Sequence, residues 1–354
     1  MKKKLFSEVL EIKNGKNQRA VENPNGKYPI YGSGGEIGRA NDFICEAETI
    51  IVGRKGTINN PIFVNESFWN VDTAFGLCAN RELLYPKYLF YFCKSFDFNT
   101  LSTTVTIPSL TKTNLLGIKI PLPSLPEQQK IAAELDKIQS AIDNKKQQLS
   151  LLDEAIKSEF TEMFSTLNCE IKTIEETCTM KSGTTFSKDE ESDSGEVFYI
   201  KVSGMNLPEN DKYIKTSFLF VSRKVAGKTI IPANSIIFPK RGGAIGTNKK
   251  RITEQEICID LNTMAVTPSN ELNIQYLYQF FQNLDMGKLF NGSTVPQINN
   301  KDIGPLKIKV PPLELQNKFA SFVQQIDTTK TIIKTQLKDL NELLESKMDF
   351  YFME

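Results

Sequence analysis

Apolar residues return every seven positions along two stretches of the chain, and the rest of its pattern is organised around them. In the first stretch Leu135, Ile142, Leu149, Ile156 and Met163 mark one row, with Ile131, Ile138 and Leu152 interleaved. The second reads Phe319, Val323, Ile326, Ile333, Leu337, Leu340 and Leu344. Spacing of this kind predicts a long helix with a coiled-coil seam. Some thirty-five residues at about 1.5 Å each give a rod of roughly 50 Å. One such helix leaves its stripe uncovered, so the two are expected to pack on each other. Lys145 and Lys330 each interrupt a seam, a placement that costs stability but sets register.

Ahead of each helix the pattern changes to short β-type runs, among them Thr49–Val52 and Val197–Val202. A short apolar helix follows at Pro86–Cys93 and at Ile274–Phe281, and then a strand punctuated by proline. Ser124-Leu-Pro-Glu127 has capping-box spacing at the start of the first long helix.

These matching orders reflect a repeat. Thr106-Ile-Pro-Ser-Leu110 and Gly117–Lys130 are echoed by Thr294-Val-Pro-Gln-Ile298 and Gly304–Lys318 at an offset of about 188 residues. Lys4–Lys16 aligns with Lys172–Thr184 at about 168, which puts roughly twenty extra residues in the second copy between Gly183 and Arg241. A period this long excludes a solenoid and predicts two α+β units related by a pseudo-twofold repeat. The expected divisions are residues 1–122, 123–168, 169–310 and 311–354, with globules alternating with helices.

Composition removes several functions. The 354 residues contain no histidine, so Ser/His/Asp and Cys/His catalysis and the usual zinc-finger ligand sets are excluded. The six cysteines form no CxxC pair and are expected to be reduced, mostly buried thiols. Gly242–Lys249 lacks the Gly-Lys closure of a Walker loop. No Asn/Asp-Pro-Pro-Tyr/Phe motif and no glycine-rich cofactor loop after a strand are present. No metal site and no catalytic residue are expected. Without a membrane-length apolar run or a signal-peptide pattern, a cytoplasmic location is expected. The net charge of +1 decides nothing about nucleic acid, since acidic helices can cancel basic loops.

With IKIPLPSLPEQQKIAAELDKI and IKVPPLELQNKFASFVQQI each leading into a long helix, nearly the whole chain resembles the specificity subunit of type I restriction-modification systems. Tyr28–Gly35, Gly53-Arg-Lys-Gly56 and Ser293-Thr-Val-Pro-Gln297 are likewise similar to its target-recognition domains. The resemblance implies two such domains, each a mixed α/β globule reading half of a split double-stranded DNA site, and two helices packed antiparallel as spacer. It also implies two methyltransferase subunits and restriction subunits as partners. They would carry S-adenosylmethionine, ATP and magnesium, with no cofactor on this chain. A shorter first recognition region leaves open a related specificity subunit serving a combined type II enzyme. A coiled-coil protein-interaction scaffold is the alternative from another class.

The DNA-binding candidates are residues on glycine-permitted turns and capping segments. Arg54, Lys55 and Thr57, with Lys240 and Arg241, lie on basic glycine turns suited to guanine or phosphate. Lys13, Lys16 and Asn17, with Lys181, Thr184, Thr185 and Lys188, are candidates for phosphate contacts. Thr104, Thr106, Ser293, Thr294 and Gln297 are candidates for hydrogen bonds to bases or backbone. Plain turn and cap chemistry accounts for each of them singly. Phe160, Met163, Phe164, Tyr351 and Phe352 at the helix ends are the candidate partner contacts.

Overall fold

The computed structural model describes residues 2–101, 108–289 and 296–353. The elements of the first half are β1 (Lys3–Leu5), α1 (Phe6–Val9), β2 (Leu10–Asn14), β3 (Tyr28–Gly32), β4 (Gly35–Ala40), β5 (Thr49–Gly53) and β6 (Ile62–Val64). They continue with β7 (Trp69–Asn70), β8 (Ala74–Ala79), α2 (Pro86–Ser95), α3 (Lys112–Leu116), β9 (Lys119–Pro121) and the forty-residue α4 (Leu125–Phe164). The second half holds β10 (Glu170–Thr173), α5 (Ile174–Thr177), β11 (Cys178–Ser182), β12 (Val197–Ile200), β13 (Tyr213–Ile214), β14 (Phe220–Val221) and α6 (Arg223–Ala226). It ends with β15 (Ile236–Pro239), β16 (Arg251–Thr253), β17 (Ile257–Ile259), β18 (Thr263–Pro268), α7 (Ile274–Gln282), α8 (Asn300–Ile303), β19 (Lys307–Val310) and the forty-residue α9 (Leu313–Phe352).

Two compact units result, residues 1–148 with 332–354 and residues 149–331. Each therefore takes part of both long helices. Unit one has a four-stranded sheet, β2-β8-β5-β6, and a three-stranded sheet, β4-β3-β7. Unit two repeats this plan as β11-β18-β15-β16 and β14-β12-β17, with β13 added beside β16 as a fifth strand. Even the mixed pairing recurs, β3 lying parallel to β7 as β12 does to β17. The α+β class and the duplication read from the sequence are present.

The extra residues of the second copy are also located. Where β3 and β4 are joined by Ser33 and Gly34, β12 and β14 are joined by residues 201–219, which include β13. Copy two has thus extended its sheet edge through one connection.

Each core is closed by the C-terminal end of one long helix. In unit two Phe164, at the end of α4, meets Tyr276 of α7 at 4.8 Å between ring centroids, and Phe160 stacks on the same tyrosine at 5.3 Å. In unit one Phe352, at the end of α9, meets Tyr88 of α2 at 5.1 Å. Each tyrosine hydroxyl donates to a backbone oxygen, Tyr88 to Pro121 and Tyr276 to Lys309, both at 3.0 Å. Because α4 begins in unit one and ends in unit two, and α9 the reverse, the helices run antiparallel within each unit. Tyr351 donates to Glu134 Oε2 at 2.7 Å near the start of α4, and Phe160 faces Phe319 near the start of α9.

This packing corrects the partner-contact expectation. Phe164 and Phe352 are buried, Phe160 and Met163 pack on the unit-two core, and Tyr351 packs on that of unit one. Aromatic residues crowd the helix ends because each unit borrows one end as a plug for its own core. Of the two lysines that interrupt the seams, Lys330 pairs with the Asp153 carboxylate across the helices of unit two. Lys145 is half-buried.

Candidate nucleic-acid interface

In unit one a single loop, residues 70–74, collects the turns that the sequence singled out. Gly15 N donates to Ala74 O at 3.2 Å and Lys16 N to Asn70 O at 2.9 Å, which fastens the first turn. Arg54 N donates to Thr73 O at 2.7 Å and fastens the second. Gly15 is required because a Cβ there would lie 1.8 Å from Val71 O.

Unit two repeats these bonds residue for residue. Gly183 N donates to Thr263 O at 3.1 Å, Thr184 N to Ile259 O at 2.9 Å and Lys240 N to Asn262 O at 2.7 Å. A Cβ on Gly183 would fall 2.0 Å from Asp260 O.

A third segment locks the basic turn. Gly56 N donates to Pro108 O at 3.2 Å and Leu110 N to Arg54 O at 2.9 Å, with a bridge between Lys55 and Ser109. The counterparts are Gly242 N to Pro296 O at 2.9 Å, Ile298 N to Lys240 O at 2.9 Å, and a bridge between Arg241 and Gln297. Gly56 and Gly242 have φ of +79° and +70°, the left-handed region where a side chain is strained. Structural equivalence therefore runs Arg54 with Lys240 and Lys55 with Arg241. Each unit presents one bridged basic turn, braced by the proline segment that the repeat made conspicuous.

The side chains on this frame divide into exposed and committed. Lys16, Asn17, Arg54, Lys55 and Thr57 in unit one, and Thr185, Lys188 and Arg241 in unit two, are exposed. Asn17 Oδ1 accepts from Arg19 N at 2.9 Å, and Arg54 lies 5.7 Å from the Phe75 ring. Thr184 and Gln297 are half-buried; Thr184 O takes the Tyr199 hydroxyl at 3.0 Å, and Gln297 Nε2 donates to Asn299 Oδ1 at 2.7 Å.

Three predicted phosphate contacts are corrected. Lys13 Nζ donates to Ile44 O at 3.1 Å, and its equivalent Lys181 donates to Lys228 O and, at 3.0 Å, to Ile230 O. Both ammoniums thus satisfy carbonyls of a neighbouring loop. Lys240 is 7% exposed and donates to Ser182 Oγ at 2.7 Å. Burial, then Arg241 beside it, pushes its pKa down. Thr104, Thr106, Ser293 and Thr294 lie outside the described residues.

The Tyr28–Gly35 segment singled out in sequence is brought to the same place: Ser33 at the β3–β4 turn comes close enough that a Cβ on Gly53 would meet its Cβ at 3.1 Å, so this hairpin adjoins the basic turn. Sequence reasoning missed a buried glutamine that joins globule to helix. Gln128 Oε1 accepts from Tyr85 N at 2.8 Å, while its Nε2 donates to Leu83 O at 3.0 Å and Pro123 O at 2.9 Å. Gln316 does the same with Asn273 N at 2.8 Å, Glu271 O at 2.9 Å and Pro311 O at 2.8 Å. Both stand at one register of the repeat, which was the available signal.

Comparison with known proteins accords with this arrangement. The family described as type I restriction modification DNA specificity domain matches residues 1–154 and 167–342. The chain is 26% identical over 344 residues to the type I restriction enzyme MjaIX specificity subunit of Methanocaldococcus jannaschii, covering 84% of this chain and 74% of that one. It is 22% identical to a putative type I restriction enzyme specificity subunit of Haemophilus influenzae, covering 98% and 93%. In fold it is similar to the crystal structure of a type I restriction-modification system S subunit from M. genitalium, with a TM-score of 0.65 at 19% identity over 99% of this chain and 96% of that one.

Proposed function

We propose, because the chain belongs to the family of type I restriction-modification DNA specificity domains, that its two units each read one half of an asymmetric, split DNA site. The observation that carries this reading is the bridged basic turn, built by the same backbone bonds in both units and framed by different neighbours. Arg54 and Lys55 in one unit and Arg241 in the other sit on rigid, exposed turns, where a guanidinium reads guanine and an ammonium holds phosphate. Lys16, Asn17, Thr185 and Lys188 add phosphate contacts beside them.

The two forty-residue helices, each about 60 Å at 1.5 Å per residue, fix the unread spacer in this reading and carry two methyltransferase subunits. Restriction subunits join through these. The chain makes and breaks no bond itself. Methyl transfer from S-adenosylmethionine, and ATP- and magnesium-dependent cleavage, belong to the partners in the cytoplasm. Among the described residues no helix is long and apolar enough to cross a membrane.

The test is the affinity of the assembled complex for duplex DNA carrying its site, measured against salt. Specific binding that weakens linearly on a log–log plot supports the reading. No binding to that duplex, or equal binding to a duplex lacking the site, as for a protein scaffold, refutes it.

A further inference from the structure

We propose that Cys45 and Cys78 form an oxidation site, closed to a disulfide by a hydroperoxide, and that it belongs to the first unit alone. Cys78 stands on β8 and lines an open polar pocket with Glu11, Lys13, Thr49 and Arg81. Its sulfur is 3.6 Å from Thr49 Oγ1. Cys45 is fully buried behind it, its sulfur placed so that a Cβ on Gly76 would come within 2.4 Å. Residues 76 and 78 share one face of the strand, so the Cys45 sulfur lies beside Cys78 on that face.

The chemistry of the pair is complementary. Hydrogen bonding from Cys45, with Thr49 and the Lys13 ammonium contributing, pushes Cys78 down despite its burial. The bond to Cys78, then burial, pushes Cys45 up. Cys93, Cys178 and Cys258 are all pushed up by burial. An attacking thiolate facing solvent with a protonated thiol behind it is the arrangement of a peroxide-reactive cysteine and its resolving partner.

The Cys78 thiolate attacks one peroxide oxygen; the O–O bond breaks, and the departing alkoxide or hydroxide takes a proton, leaving a sulfenic acid. Cys45 then attacks that sulfur. The S–S bond forms, the S–O bond breaks, and water leaves carrying the Cys45 proton. Two thiols and one hydroperoxide give one disulfide, one alcohol or water, and one further water.

The repeat supplies an internal control. Cys45 bridges Phe68 as Ile231 bridges Ile257, so Ile231 is its counterpart. Thr49 and Cys78 flank the pair Ile50–Leu77 as Ser235 and Thr267 flank Ile236–Val266. In unit two the latter two are joined as hydroxyls at 2.7 Å. The same fold is thus built in copy two without a thiol at either of these two positions. Cys45 also lies 3.4 Å from Asn70 Oδ1, and Asn70 O holds Lys16 N. If the DNA reading above holds, closing the disulfide disturbs the first reader and spares the second.

The experiment treats the full chain with a small excess of hydrogen peroxide and maps peptides by mass spectrometry without reduction. The expected first product is the Cys45–Cys78 linked peptide, with Cys93, Cys169, Cys178 and Cys258 still thiols. Cys78→Thr, the residue found in copy two, abolishes the link, and Cys45→Ala leaves Cys78 as a trapped sulfenic acid. Earlier oxidation of another cysteine, or oxidised Cys78 without the link in the unaltered chain, overturns the proposal. These readouts involve no DNA, so they fail or succeed independently of the recognition reading.

Discussion

Replacing Gln128 by leucine should be among the most damaging single changes in the first unit. The side chain is fully buried and holds one amide and two carbonyls, at the cap of α2 and just before α4. Leucine fills a similar volume but leaves Tyr85 N, Leu83 O and Pro123 O without this partner. At roughly 1–3 kcal/mol for each buried group left unmade, with carbonyls tolerating the loss better than N–H groups, the cost is about 3–5 kcal/mol. Gln316→Leu removes the same three bonds in unit two and should cost a similar amount. Gln129, exposed one position along α4, is the control, and its replacement by leucine should stay within about 0.5 kcal/mol. Urea unfolding of the three variants gives the comparison. A Gln128→Leu loss below about 1 kcal/mol, or one no larger than that of the control, would refute the account of how globule and helix are joined.

Other consequences are open to direct measurement. Lys55→Ala and Arg241→Ala should each weaken DNA binding by the assembled complex, lowering the log–log salt slope by about one where the contact is to phosphate. Gly56→Ala and Gly242→Ala should each cost about 1–2 kcal/mol in urea unfolding, since nothing lies within 4 Å of the added Cβ and only the positive φ opposes it. Lys250 is fully buried on Asn248 Oδ1 and Leu284 O, both at 2.8 Å, and burial lowers its pKa from 10.5 to about 8. The folded state then holds fewer protons than the unfolded one between those values, so stability should rise as pH rises from about 8 to 10.5. In Lys250→Met that rise should disappear from pH-dependent unfolding curves.

The frame of the molecule was legible because it rests on periodicity and repetition. The seven-residue rows specify the long helices, and Pro108 and Pro296 mark the braces of the two basic turns. Placing the extra residues of copy two between Gly183 and Arg241 was also within reach, since register is a property of the chain. Side-chain commitments were not. Lys13 and Lys181 look like free surface charges in sequence, yet both satisfy carbonyls that only the folded loops bring near. The helix-end aromatics look like an outward patch because the core residues they meet, Tyr88 and Tyr276, lie far away in the sequence. Gln128 and Gln316 share a register position, but glutamine is ordinary in an early helical turn, and only burial reveals what it joins.

The central claim is that two differently built readers share one frame, and sequencing the methylated adenines of a host carrying this chain with its methyltransferase tests it most directly. A split, asymmetric motif is expected, with Arg54→Gln altering the bases accepted in one half and Arg241→Gln those in the other. An unbroken motif, a methylation pattern indifferent to both substitutions, or a change in both halves from either one would contradict it.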